Sequence, residues 1–263
     1  MHRALSIALI TGGSKGIGYA LADELAKRGF DLLLIARSEA ELKTACGTLS
    51  GKYNIQAHSL ALDLSEADAP DKILEHLKGN NLSVTVLINN AGYALWGSFA
   101  ELPFADQQKM LTVNVVNLMK LTHLLLPELR KQKKSYILNV SSTTAYQPVA
   151  WLNVYAASKA FVISFSRALR TELKNSSISV SVLVPGTTTS NFMDRAGMNS
   201  ERIRSSASKV TMTPASVAAY AIPAMFRGVN EIVPGFINWL SSFLIPFLPK
   251  QLPEKIAAKI YKK

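Results

Sequence analysis

The chain has 263 residues, 48% of them hydrophobic and 18% charged, with a formal net charge of +11. This composition excludes a disordered chain and leaves room for one sizeable core, while the single cysteine, Cys46, excludes an internal disulfide and suits a reducing compartment. No stretch holds about 18 uninterrupted apolar residues, and the N-terminus reads straight into a strand without a leader pattern, so a spanning helix is not expected and cytoplasmic is the default location.

Taken in order, Leu5–Ile10 predicts a strand and Gly16–Arg28 a helix ended by Gly29. Asp31–Ala36 predicts a strand apolar on both faces, and Glu39–Leu49 a charged helix carrying Cys46. Ile55–Leu62 reads as the next strand, Ala67–Leu77 as a helix and Val84–Ile88 as a strand. One long helix is predicted over Phe104–Lys131, followed by a strand at Tyr136–Val140, a helix at Leu152–Leu173 and a strand at Ile178–Val184. Fully apolar strands alternating with helices predict an α/β fold, a doubly wound parallel sheet with helices on both faces.

The turn Thr11-Gly12-Gly13-Ser14-Lys15-Gly16-Ile17-Gly18 separates the first strand from the first helix. Glycines at Gly12, Gly16 and Gly18 let the backbone, with Ser14, Lys15 and Ile17 between them, approach a pyrophosphate whose charge meets the helix N-terminus. The spacing is G-x-x-x-G-x-G, and an ordinary tight turn is the alternative. Gly12–Gly16 also fits the G-x-S-x-G turn of serine hydrolases. Too little chain precedes it to supply oxyanion donors, and His58, His76 and His123 fall too early or on helical patterns. Past the glycines, where an acid would hold the ribose of NAD(H), stands Ala36-Arg37. The Arg37 guanidinium and the Lys15 ammonium point instead to NADP(H), against the alternative that Arg37 only caps a surface loop. Asp63 and Leu64, after the third strand, are placed to hold the adenine, or Asp63 is a solvated loop acid.

Ser141-Ser142 end the Tyr136–Val140 strand, at the edge where open α/β sheets bind ligands. Tyr155 and Lys159 are four apart on the following helix, hence on one face. A hydroxyl, a phenol and an ammonium converging there can exchange a proton with a carbonyl or alcohol oxygen. No metal site is expected. The basic charge lacks the aromatic-rich stripe of a nucleic-acid reader, so no nucleic-acid partner is expected.

With the glycine turn, Asn89-Asn90-Ala91-Gly92, Asn114, Ser142, Tyr155-Ala-Ala-Ser-Lys159 and Pro185-Gly186 in this order, the chain resembles the short-chain dehydrogenase/reductase family over about residues 4–235. The resemblance implies a Rossmann-fold oxidoreductase acting on a small carbonyl or alcohol, with Tyr155 as acid in reduction and base in oxidation. Lys159 would bind the nicotinamide ribose and lower the Tyr155 pKa, Ser142 would hydrogen-bond the substrate oxygen, and Asn114 would hold a relay water. Asn90, Ala91 and Gly92 would line the cofactor; Pro185, Gly186 and Thr188 would contact its nicotinamide end, with Ser190 where the family often has threonine. It further implies a mobile lid at about 190–213, where Met193, Met198 and Met212 suggest an adaptable apolar wall, with ordinary helix packing as the alternative, and a homodimer through the Phe104 and Leu152 helices. The expected substrate is an apolar ketone or 3-oxoacyl compound; a regulator that senses NADPH without turnover is the alternative.

One domain is read over 1–235, with 236–263 as an apolar and basic helical extension. There the chain departs from the family's Gly-rich tail, which favours a dimer over a tetramer. Phe236–Leu248 followed by lysines reads as a helix packed over the substrate cleft or a partner subunit, and alternatively as a peripheral membrane contact.

Overall fold

Runs of Leu, Ile and Val between polar turns have no solvated face to offer, so they become strands covered on both sides. A computed structural model describes residues 5–189, 192–198, 200–208 and 211–262. Strands β1 (Leu5–Thr11), β2 (Asp31–Ala36), β3 (Ala57–Ala61), β4 (Leu82–Asn89), β5 (Ser135–Val140), β6 (Ile178–Leu183) and β7 (Glu231–Ile232) form one parallel sheet in the order β3-β2-β1-β4-β5-β6-β7. Strand order reverses between β1 and β4, and the crevice at their C-terminal ends is where such sheets bind ligands.

The pleat divides the core. Ala8 and Ile10 point to one face with α1 (Gly16–Ala26), α2 (Glu39–Tyr53) and, later in the chain, Pro214–Phe226. Ile7 and Leu9 point to the other, under α3 (Ala69–Gly79), where Leu121, Leu125 and Leu129 also pack. Helix α2 runs to Tyr53, beyond the expected Leu49, and stops at Asn54 in the left-handed conformation. Its N-cap Ser38 accepts the Glu41 N–H (3.3 Å).

The expected continuous helix over Phe104–Lys131 is instead α4 (Phe104–Leu111), a π-helical turn at Thr112–Val116, and α5 (Asn117–Lys131). The cause is tertiary: the Asn114 side chain inside that turn is tied to the backbone of Tyr93. By length and composition this run is long and apolar enough to cross a membrane; here its apolar face is a core face, packed on the sheet. Helix α6 (Asn153–Glu172) follows β5, and short α7 (Phe192–Arg195) and α8 (Glu201–Ser208) come after β6. Helix α9 (Pro214–Phe226), capped by Thr213, is buried along Val217, Ala218, Ala221 and Ile222 and was not among the expected elements. Helices α10 (Phe236–Leu244) and α11 (Gln251–Tyr261) complete the described chain.

Candidate active site

The site is assembled around Gly92. A Cβ there would stand 3.0 Å from Asn114 Oδ1 and 3.1 Å from Lys159 Nζ, so the position has room only for hydrogen. Asn114 is fully buried; its Nδ2 donates to Tyr93 O (3.0 Å) and Ser158 Oγ (3.1 Å), and its Oδ1 accepts from Tyr93 N–H (3.1 Å). The π turn aims this amide inward, a use such turns often serve. Lys159 Nζ donates to Val140 O (2.9 Å) and lies 5.8 Å from the centre of the Tyr155 ring. Both side chains lie on the buried face of α6. Ser142, at the end of β5, accepts the Thr144 N–H (3.2 Å), which leaves its own proton available to donate.

Burial governs the protonation of this pair. It pushes the Tyr155 phenol well above its ordinary value, against the lowering effect of a hydrogen bond with Ser142 and together with a smaller raising effect of Tyr261. Burial also pushes Lys159 down to about 8. The expectation that Lys159 acidifies Tyr155 is therefore not met in this structure. The ammonium carries its own desolvation cost and spends its hydrogen bond on a carbonyl. A protonated phenol can donate its proton to a substrate oxygen.

A cleft of about 1820 Å³ runs from the glycine turn to Tyr155 along the strand ends. That exceeds the ~300–1,000 Å³ of a site for one small ligand and suits a dinucleotide lying beside a substrate. It is lined by Gly12, Ser14, Lys15, Gly16, Ile17 and Gly18, by Arg37, Asp63 and Leu64, and by Asn90, Ala91 and Gly92. Ser142, Tyr155, Lys159, Pro185, Gly186 and Thr188 close its far end, so these expected residues are brought to one surface; Asn114 lies behind it, and Ser190 lies outside the described residues. Asn90 braces the turn more than it lines the cleft: its Nδ2 donates to Thr11 O (2.9 Å) and Gly12 O (3.1 Å). Gly12 has φ +66°, and a Cβ on it would stand 2.8 Å from Asn90 Nδ2. That cradle, together with the exposed Arg37 at the end of β2, fits a phosphorylated dinucleotide.

Lys15 does not stand alone beside Arg37. Its Nζ pairs with Glu41 Oε1 at 2.5 Å, and Ser14 Oγ donates to Glu41 Oε2 (3.1 Å). Lys15 first, and Ser14 after it, hold the Glu41 carboxyl below the usual range. Glu41 stands three residues after the cap Ser38, where it could reach back to its own helix; it crosses to the turn instead. With Ser14 bonded to Glu41, and no histidine among the described residues lining the cleft, the nucleophile-turn reading has no base to work with.

Several working residues escaped the sequence reading. Thr11 Oγ1 accepts the N–H groups of Asn90 and Ala91 (both 3.0 Å) and so joins β1 to the β4 end. Asn117 Nδ2 donates to Leu64 O (2.9 Å) and Glu66 O (2.7 Å), fixing the loop after β3. Asn238 of α10 packs on Gly186, where a Cβ would meet its amide at 2.6 Å, and donates to Pro234 O (2.9 Å). Tyr261 of α11 lines the cleft near Tyr155, while its carbonyl accepts the Trp96 indole N–H (2.8 Å). Helix α11 thus packs over the Tyr155 end of the cleft, in the cluster that includes Tyr155, Phe192, Met193 and Met198. A composition signal marked the tail as apolar; nothing in it indicated which side chains reach the cleft.

The model of the short chain dehydrogenase family matches residues 6–201. The very-long-chain 3-oxoacyl-CoA reductase of Rattus norvegicus is 36% identical over 241 residues, covering 88% of this chain and 76% of its own. That of Mus musculus is 34% identical over 263 residues, covering 96% and 82%. Among solved structures, a short-chain dehydrogenase from Sphingobium yanoikuyae in complex with NADPH superposes with a TM-score of 0.79 at 25% identity, over 93% of this chain and 96% of that one. A 7beta-hydroxysteroid dehydrogenase superposes with a TM-score of 0.82 at 22% identity, over 93% of each chain, a likeness of fold. The sheet order, the buried Tyr155–Lys159 pair and these relatives agree: the chain is an enzyme of the short-chain dehydrogenase family, an oxidoreductase.

Proposed function

We propose that the protein uses NADP(H) to reduce an apolar ketone, with 3-oxoacyl thioesters as the substrate class. The observation that carries the reaction is the buried Tyr155 next to Ser142 in a cleft that also holds Lys159 and the glycine cradle. NADPH, when bound, supplies the hydride. Tyr155 Oη donates the proton to the substrate oxygen, and Ser142 Oγ–H hydrogen-bonds the same oxygen and steadies its developing charge. Lys159 would hold the cofactor ribose, and Asn114 behind it would hold a relay water. Arg37 and Lys15 support the choice of the 2′-phosphorylated cofactor, and the very-long-chain reductases of rat and mouse support the substrate class.

The same reading includes a homodimer, a cytoplasmic location, a lid over residues 190–213 and a peripheral membrane contact through 236–263. Exposed Phe104, Leu111, Val116, Met119 and Phe161 on α4, the π turn, α5 and α6 support a subunit interface there. The test is cofactor consumption with 3-oxoacyl thioesters of increasing chain length, with NADPH and NADH in parallel. The expected result is turnover that favours NADPH by at least about ten-fold, the scale of one charge-assisted phosphate contact. No consumption with any thioester or ketone would overturn the reading.

A further inference from the structure

Helix α10 has two faces that do different things. Ile237, Asn238, Ser241, Ser242 and, just beyond the helix, Ile245 turn toward the cleft and line it. The opposite face should be polar on a soluble surface helix. It is instead Phe236, Trp239, Leu240, Phe243 and, past the helix end, Phe247, with exposures of 73%, 49%, 37%, 54% and 74%. The rings form a continuous ladder: Phe236 to Trp239 at 6.0 Å, Trp239 to Phe243 at 5.9 Å and Phe243 to Phe247 at 5.4 Å. Leu248 and, on α11, Leu252 and Ile256 are exposed as well. A contiguous apolar patch of this kind on a protein surface marks a contact.

We propose that this face docks on an anionic lipid bilayer, lying in the plane of its interface. The charge of the segment selects that occupant. Lys250, Lys255, Lys259 and Lys262 are exposed in the segment that follows the ladder, and Glu254 is the only acid from 236 to 262. A second copy meeting this face across a two-fold axis would bring two sets of lysines together, whereas anionic headgroups neutralise them. Short helices with aromatic side chains on one face and lysines beside them are suited to the headgroup boundary, not to crossing it. Ile237, Ile245 and Ile256 link the ladder to the mouth of the cleft, so docking turns that mouth toward the lipid surface, where an apolar substrate would enter. The docking deepens the peripheral contact through 236–263 proposed above and rests on no step of the reaction.

The test is sedimentation of the full chain with vesicles of phosphatidylcholine alone and of equal parts phosphatidylcholine and phosphatidylserine, at low and high salt. The expected result is binding to the mixed vesicles that weakens with salt. Lys255→Glu with Lys259→Glu should weaken that binding by about ten-fold or more. Trp239→Ser with Phe243→Ser should abolish it while leaving NADPH binding and the unfolding midpoint in place; neither side chain lines the cleft. Failure of the parent protein to bind either vesicle, or parent-like binding by both variants, would overturn the proposal. So would a serine variant that splits an oligomer when the parent binds no vesicle, which would assign the face to a second copy.

Discussion

Gly92→Ala tests whether the site is set by the close approach of Asn114 and Lys159. The added Cβ would lie 3.0 Å from Asn114 Oδ1, 3.1 Å from Lys159 Nζ and 3.6 Å from Asn114 Cγ. Favourable heavy-atom contact starts near 3.5 Å, so the amide and the ammonium must each yield by roughly half an ångström. Neither is free to do so: three hydrogen bonds fix Asn114, and Val140 O holds Lys159. Gly92 is not among the residues with positive φ, so the cost is steric and not conformational. Overpacking of this order costs about 1–3 kcal/mol. Expressed in the transition state, that is a fall in kcat of roughly 5–150-fold. Any part borne by the fold lowers the unfolding midpoint by about 2–4 °C per kcal/mol. Steady-state kinetics with NADPH and a 3-oxoacyl thioester, alongside thermal unfolding, read both. A variant with kcat within two-fold of the parent and the same midpoint would refute the tight-contact reasoning.

Glu41→Gln should release Lys15 from its partner and remove a negative charge beside the proposed phosphate site. The pair is partly exposed, so the expected gain is modest, with NADPH Kd tightening by about 3–10-fold and NADH Kd unchanged. Fluorescence titration with both cofactors checks this, and weaker NADPH binding would contradict it. The pH dependence of stability without cofactor follows from burial. Lys159 falls from 10.5 to about 8 on folding, so between those values the unfolded chain binds more protons and stability rises with pH. The penalty relieved is on the order of 3 kcal/mol. Above about pH 10 the raised Tyr155 acts the other way, because the folded chain then keeps a proton that the unfolded chain loses. Denaturant melts should show stability climbing from pH 8 to about 10 and then declining, and Lys159→Met should remove the climb. A parent curve flat over that interval would show that the ammonium is not buried in solution.

Much of the fold and site was readable because the signals were local. Leu32 to Ile35 is apolar at every position, which only a strand covered on both faces accommodates. Tyr155 and Lys159 are one helical turn apart, so a shared face follows from spacing alone. The rest depends on contacts between distant segments. The π turn exists because Asn114 bonds to Tyr93, and no local pattern distinguishes it from plain helix. Glu41 looks like an ordinary first-turn acid until the glycine turn comes beside it. Asn238 and Tyr261 reach the cleft only after the tail folds back over it. The Tyr155 shift departs from the expectation for the same reason: burial is its largest cause, and depth is a property of the whole fold.

The central claim is that the Tyr155 phenol gives its proton to the substrate oxygen. Tyr155→Phe removes the hydroxyl and keeps the ring that packs against Phe192. Single-turnover reduction of a 3-oxoacyl thioester by bound NADPH should slow by about 10²–10⁴-fold, with NADPH affinity and the unfolding midpoint retained. Turnover by the phenylalanine variant within a factor of two of the parent would contradict the account.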